Sequence, residues 1–311
     1  MNLLKSTIGI ILIAFSFSSC DNIAYKDAKE NPQPIVIPVV DTTKGDSTQN
    51  LTYKPVTNFE QRVFLEDYTG HTCGNCPFAA AEATRLHGVY KEKIVIMAIH
   101  CGQFAKPNIN PSITSFKADF RTPIGDALDS KFGASNAGLP RGVVGRKKFA
   151  TTKVSLLSYT EWGNKANQIL STPGFGVGLE INPKYNSGTR SVILYVNSAF
   201  NKAYSGEIKM SAYIVEDKIF NWQKFYPSPG VTKEIENFEH NHMLRVGLAP
   251  VNGSYSLSST NSFAAGQSVK TEWQATLPVA VVADNAKIIF VLSNALTEEV
   301  IQVSEEDLKS N

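Results

Sequence analysis

The chain reads as an α/β domain followed by an all-β sandwich domain, and three observations predict this. An apolar run, Val63-Phe64-Leu65, leads into Cys73-Gly74-Asn75-Cys76; an alanine-rich stretch, Ala79 to Ala83, and a second apolar run, Ile94 to Ile99, follow. That order is strand, tight turn, helix, strand. Beyond residue 172 helical spacing gives way to short alternating segments punctuated by Gly, Asn, Ser and Pro, the pattern of half-buried strands. At the other end, a short apolar stretch and a polar segment precede the first strand.

The elements follow in order. Lys5 and the run Ile8 to Phe17 have the charge and length of an export signal, too short for a membrane span. Phe17-Ser18-Ser19-Cys20 ends the run, and small residues before a cysteine resemble a bacterial lipobox. The resemblance implies a signal peptide over 1–19 and lipidation of Cys20, which would tie the protein to a membrane. An ordinary secretory signal with an incidental cysteine is the competing reading. Residues 20–59 are rich in Asp, Asn, Lys, Pro, Thr and Ser, and their apolar cluster, Ile35 to Val40, is broken by Pro38. They read as a flexible tether that buries too little surface to offset its chain entropy.

Residues 60–171 form the α/β unit. A strand is predicted over Arg62 to Tyr68 and a helix from about Cys73 to His87, with Gly88 at its end. Lys93 to His100 suits a buried parallel strand. A loop rich in Pro, Asn and Ser occupies 102–122, with a short helix expected near Ser115. A helix over Pro123 to Phe132, a strand at Val143-Val144 and an amphipathic helix from Ser155 to Leu170 complete the unit. Residues 172–311 carry predicted strands at Gly176–Ile181, Ser191–Val196, Glu207–Val215, Val269–Ala275, Lys287–Leu292 and Glu299–Val303.

Composition narrows the function classes. Thirty basic and 28 acidic residues nearly cancel in a chain of 311. No basic face is implied, which argues against nucleic acid as a partner. Export sets an oxidising context, in which disulfides persist. With Cys20 lipidated, Cys73, Cys76 and Cys101 remain, which fits one working pair plus one extra thiol.

The two-cysteine motif carries the chemistry. A thiol at a helix N-terminus is favoured as thiolate by the helix dipole and the free backbone N–H groups. With a second cysteine three residues on, it has the parts of a thiol–disulfide exchanger. A structural disulfide has the same spacing. His100 and Cys101 end a parallel strand at the carboxyl edge where active groups gather; with His71 they are candidates for tuning the pair, and a buried thiol at a strand end is the plainer account of Cys101. His240-Asn241-His242 would point two imidazoles to one face if it lay in a strand, which is half a metal site. No metal and no cofactor is assigned. Phe220, Trp222, Phe225 and Tyr226 read as packing over the sandwich or its rim.

The order strand, CxxC, helix, strand, with Gly138-Leu139-Pro140 downstream and a closing helix, resembles the thioredoxin superfamily. The resemblance implies a thioredoxin-like fold for 60–171. It makes Cys73 the nucleophile, Cys76 the resolving thiol and Pro140 a cis-proline facing them. Asp67 would be the buried acid behind Cys76, and its alternation with Val63 and Leu65 puts it on the same side. The chain departs from the pattern in the Gly-Asn dipeptide, in Pro77 after the second cysteine and in Thr72 where a tryptophan is usual.

Thr69-Gly70-His71-Thr72-Cys73-Gly74-Asn75-Cys76-Pro77, with Leu139-Pro140-x-Gly142-x-x-x-Arg146 and His240-Asn241-His242-x-x-Arg245, is more specific. These segments resemble an outer-membrane lipoprotein family of about 28 kilodaltons from Gram-negative anaerobes and their relatives. The resemblance implies a lipid-anchored outer-membrane protein, facing either the periplasm or the surface. Two functions follow as expectations: thiol–disulfide exchange on exported client proteins, or surface binding and adhesion with the cysteine pair as a structural disulfide.

Overall fold

The computed structural model describes residues 35–37, 53–149, 152–249 and 255–309. The expected signal peptide, Cys20 and most of the expected tether lie outside them.

Four strands and three helices make the first half. They are β1 (Ile35–Ile37), β2 (Val63–Thr69), α1 (Cys76–Tyr90), β3 (Ile94–His100), α2 (Pro123–Phe132), β4 (Arg141–Val144) and α3 (Tyr159–Leu170), with β1 standing apart from the rest. β2 and β3 pair in parallel from Val63↔Ile94 to Thr69↔His100, and β4 runs antiparallel on the far side of β2. The second half is almost entirely strand: β5 (Val177–Asn186), β6 (Ser191–Phe200), β7 (Tyr204–Ser205), β8 (Ile208–Glu216), β9 (Ile219–Ser228), β10 (Val231–His240), β11 (Met243–Gly247), β12 (Tyr255–Ser256), β13 (Ser262–Phe263), β14 (Ser268–Thr276), β15 (Ala286–Asn294) and β16 (Val300–Asp307).

The expected division near residue 171 does not appear as a break in the sheet. One eight-stranded sheet runs β16-β15-β8-β11-β3-β2-β4, with β12 also on β8. The joint is β11, parallel to β3 through Met243↔Ala98 and antiparallel to β8 through Met243↔Glu216. A second sheet, β1-β14-β6-β5, packs on part of it. The strands read as one sandwich are thus divided between that layer and the long sheet.

Residue parity decides which face each side chain serves. Val63, Leu65, Ile94 and Ile96 meet α1 and α3 on one face. Ile208, Met210, Ala212 and Ile214 continue that face and pack against Leu179, Val192, Leu194 and Val196 of the second sheet. The opposite face, with Phe64, Tyr68, Val95, Met97 and Ile99, receives Ile124 and Leu128 of α2 and continues to Tyr213, Val215, Ile289 and Val291.

Local chemistry sets the helix ends. α1 starts at Cys76, later than expected, because Asn75 is its N-cap and Pro77 fills a first-turn position where no N–H partner is needed. α3 starts at Tyr159, where Ser158 and Glu161 form a capping box. No helix forms near Ser115; the loop's short helical element is a 3-10 turn at Gln103–Ala105. Part of the expected tether is also structured. Ile35–Ile37 pairs antiparallel with β14, whose edge is open to a β-branched segment. Lys54 joins Glu306 at 3.1 Å, and its carbonyl accepts from Asn197 Nδ2 at 2.9 Å.

Candidate functional site

Cys73 and Cys76 form a disulfide at the end of β2. Cys73 sits in the turn before α1, two residues ahead of the N-cap, and not at the helix start as expected. The turn is built by main-chain bonds: Cys73 N–H donates to Gly70 O at 3.0 Å and Cys76 N–H to Cys73 O at 3.2 Å. Thr72 fastens the loop to Phe104, whose carbonyl accepts from Thr72 N and Thr72 Oγ1 at 3.0 and 2.9 Å. Both cysteines are buried, Cys73 to 3% exposure and Cys76 to 1%.

The hairpin β9–β10 covers the pair. Lys224 N–H donates to His71 O and Tyr226 N–H to Gly74 O, each at 2.8 Å. Gln223 Nε2 donates to Cys73 O at 3.0 Å. A Cβ on Gly74 would stand 2.2 Å from the Tyr226 ring, so that ring is seated where only glycine leaves room. The aromatic group expected over the sandwich lies here instead. Phe225 meets Phe78 edge-on at 5.3 Å and Trp222 lies 6.0 Å from Phe116.

Behind the disulfide is a largely enclosed cavity of about 60 Å³, lined by Asp67, Cys76, His100, Gln223 and His240 among others. Asp67 is 3% exposed, its Oδ1 meets no hydrogen-bond donor, and no cation reaches its carboxyl among the described residues. Burial raises that carboxyl to about 7. His100 and His240 stand edge to face at 5.4 Å, with Phe120 against both. Both nitrogens of His100 and Nε2 of His240 lack partners among the described residues. Burial lowers the His240 imidazole to about 4 and holds His100 well below the ordinary value. His71, on the motif loop, stacks on Phe116 and is lowered to about 4 by burial.

Leu139-Pro140 is a cis peptide bond. Pro140 and Asn75 line an open cleft of about 420 Å³ with Arg141 and Tyr159. The turn at Gly138-Leu139-Pro140 thus comes to the motif loop. Cys101 does not. It shares the face of Ile99 and packs with Ile124 and Leu128, so the sheet stands between it and the pair. Burial and the Asp129 carboxylate push its thiol far up. His240 and His242 are not on one strand face: β10 ends at His240 and His242 takes φ 55°. His242 turns to Asp217, with Nδ1 3.6 Å from Oδ1. Among the described residues no group of three His, Cys, Asp or Glu side chains is placed to hold a metal.

The hairpin is the functional element that sequence reasoning missed. Its one sequence signal is Pro229-Gly230 between the strands, with Gly230 at φ 77°.

A β-rich protein with a covered disulfide at a sheet end is the class these features define. The family model of outer membrane protein Omp28 matches residues 125–311, more than half of the chain. The chain belongs to that family and is an outer-membrane protein. The matched residues include Pro140 and the hairpin and start beyond Cys73 and Cys76. Comparison with curated proteins finds no match. Among solved structures, HBP35 of Porphyromonas gingivalis is similar in fold at TM-score 0.53, with 15% identity over 81% of this chain and 77% of that one. A domain of the outer membrane lipoprotein Omp28 from the same organism aligns at 16% identity over 44% of this chain and 92% of that one, at TM-score 0.28. No helix among the described residues is long and apolar enough to cross a membrane.

Proposed function

We propose that this outer-membrane protein, anchored through lipid on Cys20, performs thiol–disulfide exchange on exported proteins with a thioredoxin-like unit over residues 60–171. Asp67 carries the reading. A buried carboxyl without a cation, raised to about 7 and lining one cavity with Cys76, is an expensive feature for a structural clip and a useful one for proton transfer.

In the dithiol form, Cys73 thiolate attacks one sulfur of a client disulfide, and the client's other sulfur leaves as thiolate. The Asp67 carboxylate takes the proton of Cys76. The Cys76 thiolate then attacks Cys73 Sγ, breaks the mixed disulfide and releases the second client thiolate. The client gains two electrons, and the Cys73–Cys76 disulfide forms. The same steps in reverse oxidise a client dithiol. Pro140 shares an open cleft with Asn75 of the motif loop, and in this reading its backbone groups would meet the client there.

A second reading, a binding lipoprotein with a permanent disulfide, is favoured by the 3% exposure of Cys73. Cys76→Ser separates the two. Exchange leaves clients covalently held on Cys73, seen as mass-shifted bands that thiols release. A stable Cys76→Ser protein that holds no envelope protein removes the exchange reading.

A further inference from the structure

We infer that the carbonyl edge of residues 70–74 is a docking site for an extended polypeptide segment, and that β9 occupies it as an internal stand-in for the client. The inference rests on the exchange reading for the identity of the occupant. Its geometry is independent of that reading.

β9 has two edges. One pairs with β10, from Val231↔Ser228 to His240↔Ile219. The other faces the motif loop, where alternate residues Lys224 and Tyr226 donate main-chain N–H bonds to His71 O and Gly74 O. Donors two residues apart on one edge are the signature of strand addition, which reads backbone and not sequence. Gln223, buried to 2% exposure, reaches Cys73 O and Gly70 O with its side-chain amide at 3.0 and 3.4 Å. The occupant already seated on the loop is therefore an extended chain, which fixes the chemistry of what can replace it. Space for its side chains lies beside Asn75, in the cleft with Pro140, which no hairpin residue lines.

The cover is built to leave. β9 and β10 form a two-stranded sheet of their own. No residue of the hairpin belongs to the three hydrophobic cores. β10 exposes most of its length, including Lys233, Glu234, Glu236 and Glu239. An isolated two-stranded ribbon is marginal in water, and such units open below the cost of global unfolding. Lifting it uncovers Cys73 and wets the cavity that holds Asp67, His100 and His240.

The test uses the full chain in detergent with Tyr226→Ala, and separately with Lys224→Pro, which deletes one of the two donors. Reduction of Cys73–Cys76 by a phosphine should run at least tenfold faster in both variants than in wild type, with thermal midpoints close to wild type. A labelled peptide of residues 219–228 should bind Tyr226→Ala at least tenfold tighter than wild type. Equal reduction rates overturn the cover, and a peptide that binds neither protein, or both alike, overturns the docking edge. Should the variants not fold, amide exchange in wild type decides: Lys224 and Tyr226 should exchange orders of magnitude faster than Leu65 and Ile96, and matched rates overturn the opening. Variants that open and bind peptide while Cys76→Ser, alone or with Tyr226→Ala, holds no client would leave the docking edge standing and remove exchange.

Discussion

Asp67→Asn should stabilise the protein, and only above the acid range. In the fold the carboxyl is raised from 3.8 to about 7 because burial disfavours its charge. The unfolded chain therefore releases this proton first as pH rises, and between about pH 4 and 7 the folded state holds more protons. Wild-type stability contributed by the neutral carboxyl is full below about pH 4 and is lost as pH rises through 7. The shift spans about three pH units, and each is worth about 1.4 kcal/mol, so the loss reaches about 4 kcal/mol at most. Asparagine keeps the shape and never charges. Urea unfolding of both proteins, disulfide intact, at pH 5, 6, 7 and 8 should show the variant's advantage growing by about 1.4 kcal/mol per unit and levelling off above pH 7. A difference independent of pH would refute the argument, because it would mean that Asp67 titrates as an ordinary hydrated carboxyl.

Three further outcomes are expected. Arg146 is 3% exposed and grips the buried Glu66 through two bonds of 2.9 and 2.7 Å, with Tyr213 Oη at 3.2 Å. Arg146→Leu alone should cost about 3–5 kcal/mol in urea unfolding, because a buried carboxylate is left unpaired, and Glu66→Leu with Arg146→Met should cost much less. His240 is lowered from 6.5 to about 4 by burial, so the unfolded chain takes its proton first and stability is lost as pH falls from about 6.5 towards 4. His240→Asn should lose less stability between pH 7 and 5 than wild type, and parallel losses would contradict the burial of that ring among His100, His71 and Phe238. Cys101 is fully buried with its thiol pushed up, so iodoacetamide at pH 8 should label it only after unfolding; labelling of the native protein would place it wrongly.

Much of this was legible because local pattern and burial agree. The run Val63-Phe64-Leu65 is continuously apolar, as suits a strand buried on both faces, and Asp67 falls on the side of Val63 and Leu65 by parity. The same parity separates His100 from Cys101. The partner of each strand was not legible. β8, β15 and β16 read as strands, but their joining to β3 depends on the five residues of β11, and that pairing is long-range. The hairpin escaped for a different reason. Its strands carry polar residues on both faces, such as Asn221, Lys224, Lys233 and Glu236, so no alternation marks a core-facing side. Its fixed position comes from the motif loop, a contact that composition does not announce.

The redox equilibrium of the Cys73–Cys76 couple tests the central claim most directly. The full chain would be equilibrated in glutathione buffers of graded poise, quenched by alkylation and read by mass. The exchange account predicts a midpoint between about −120 and −270 mV, the span of known exchangers. A pair that stays oxidised below roughly −300 mV is a structural disulfide and contradicts it.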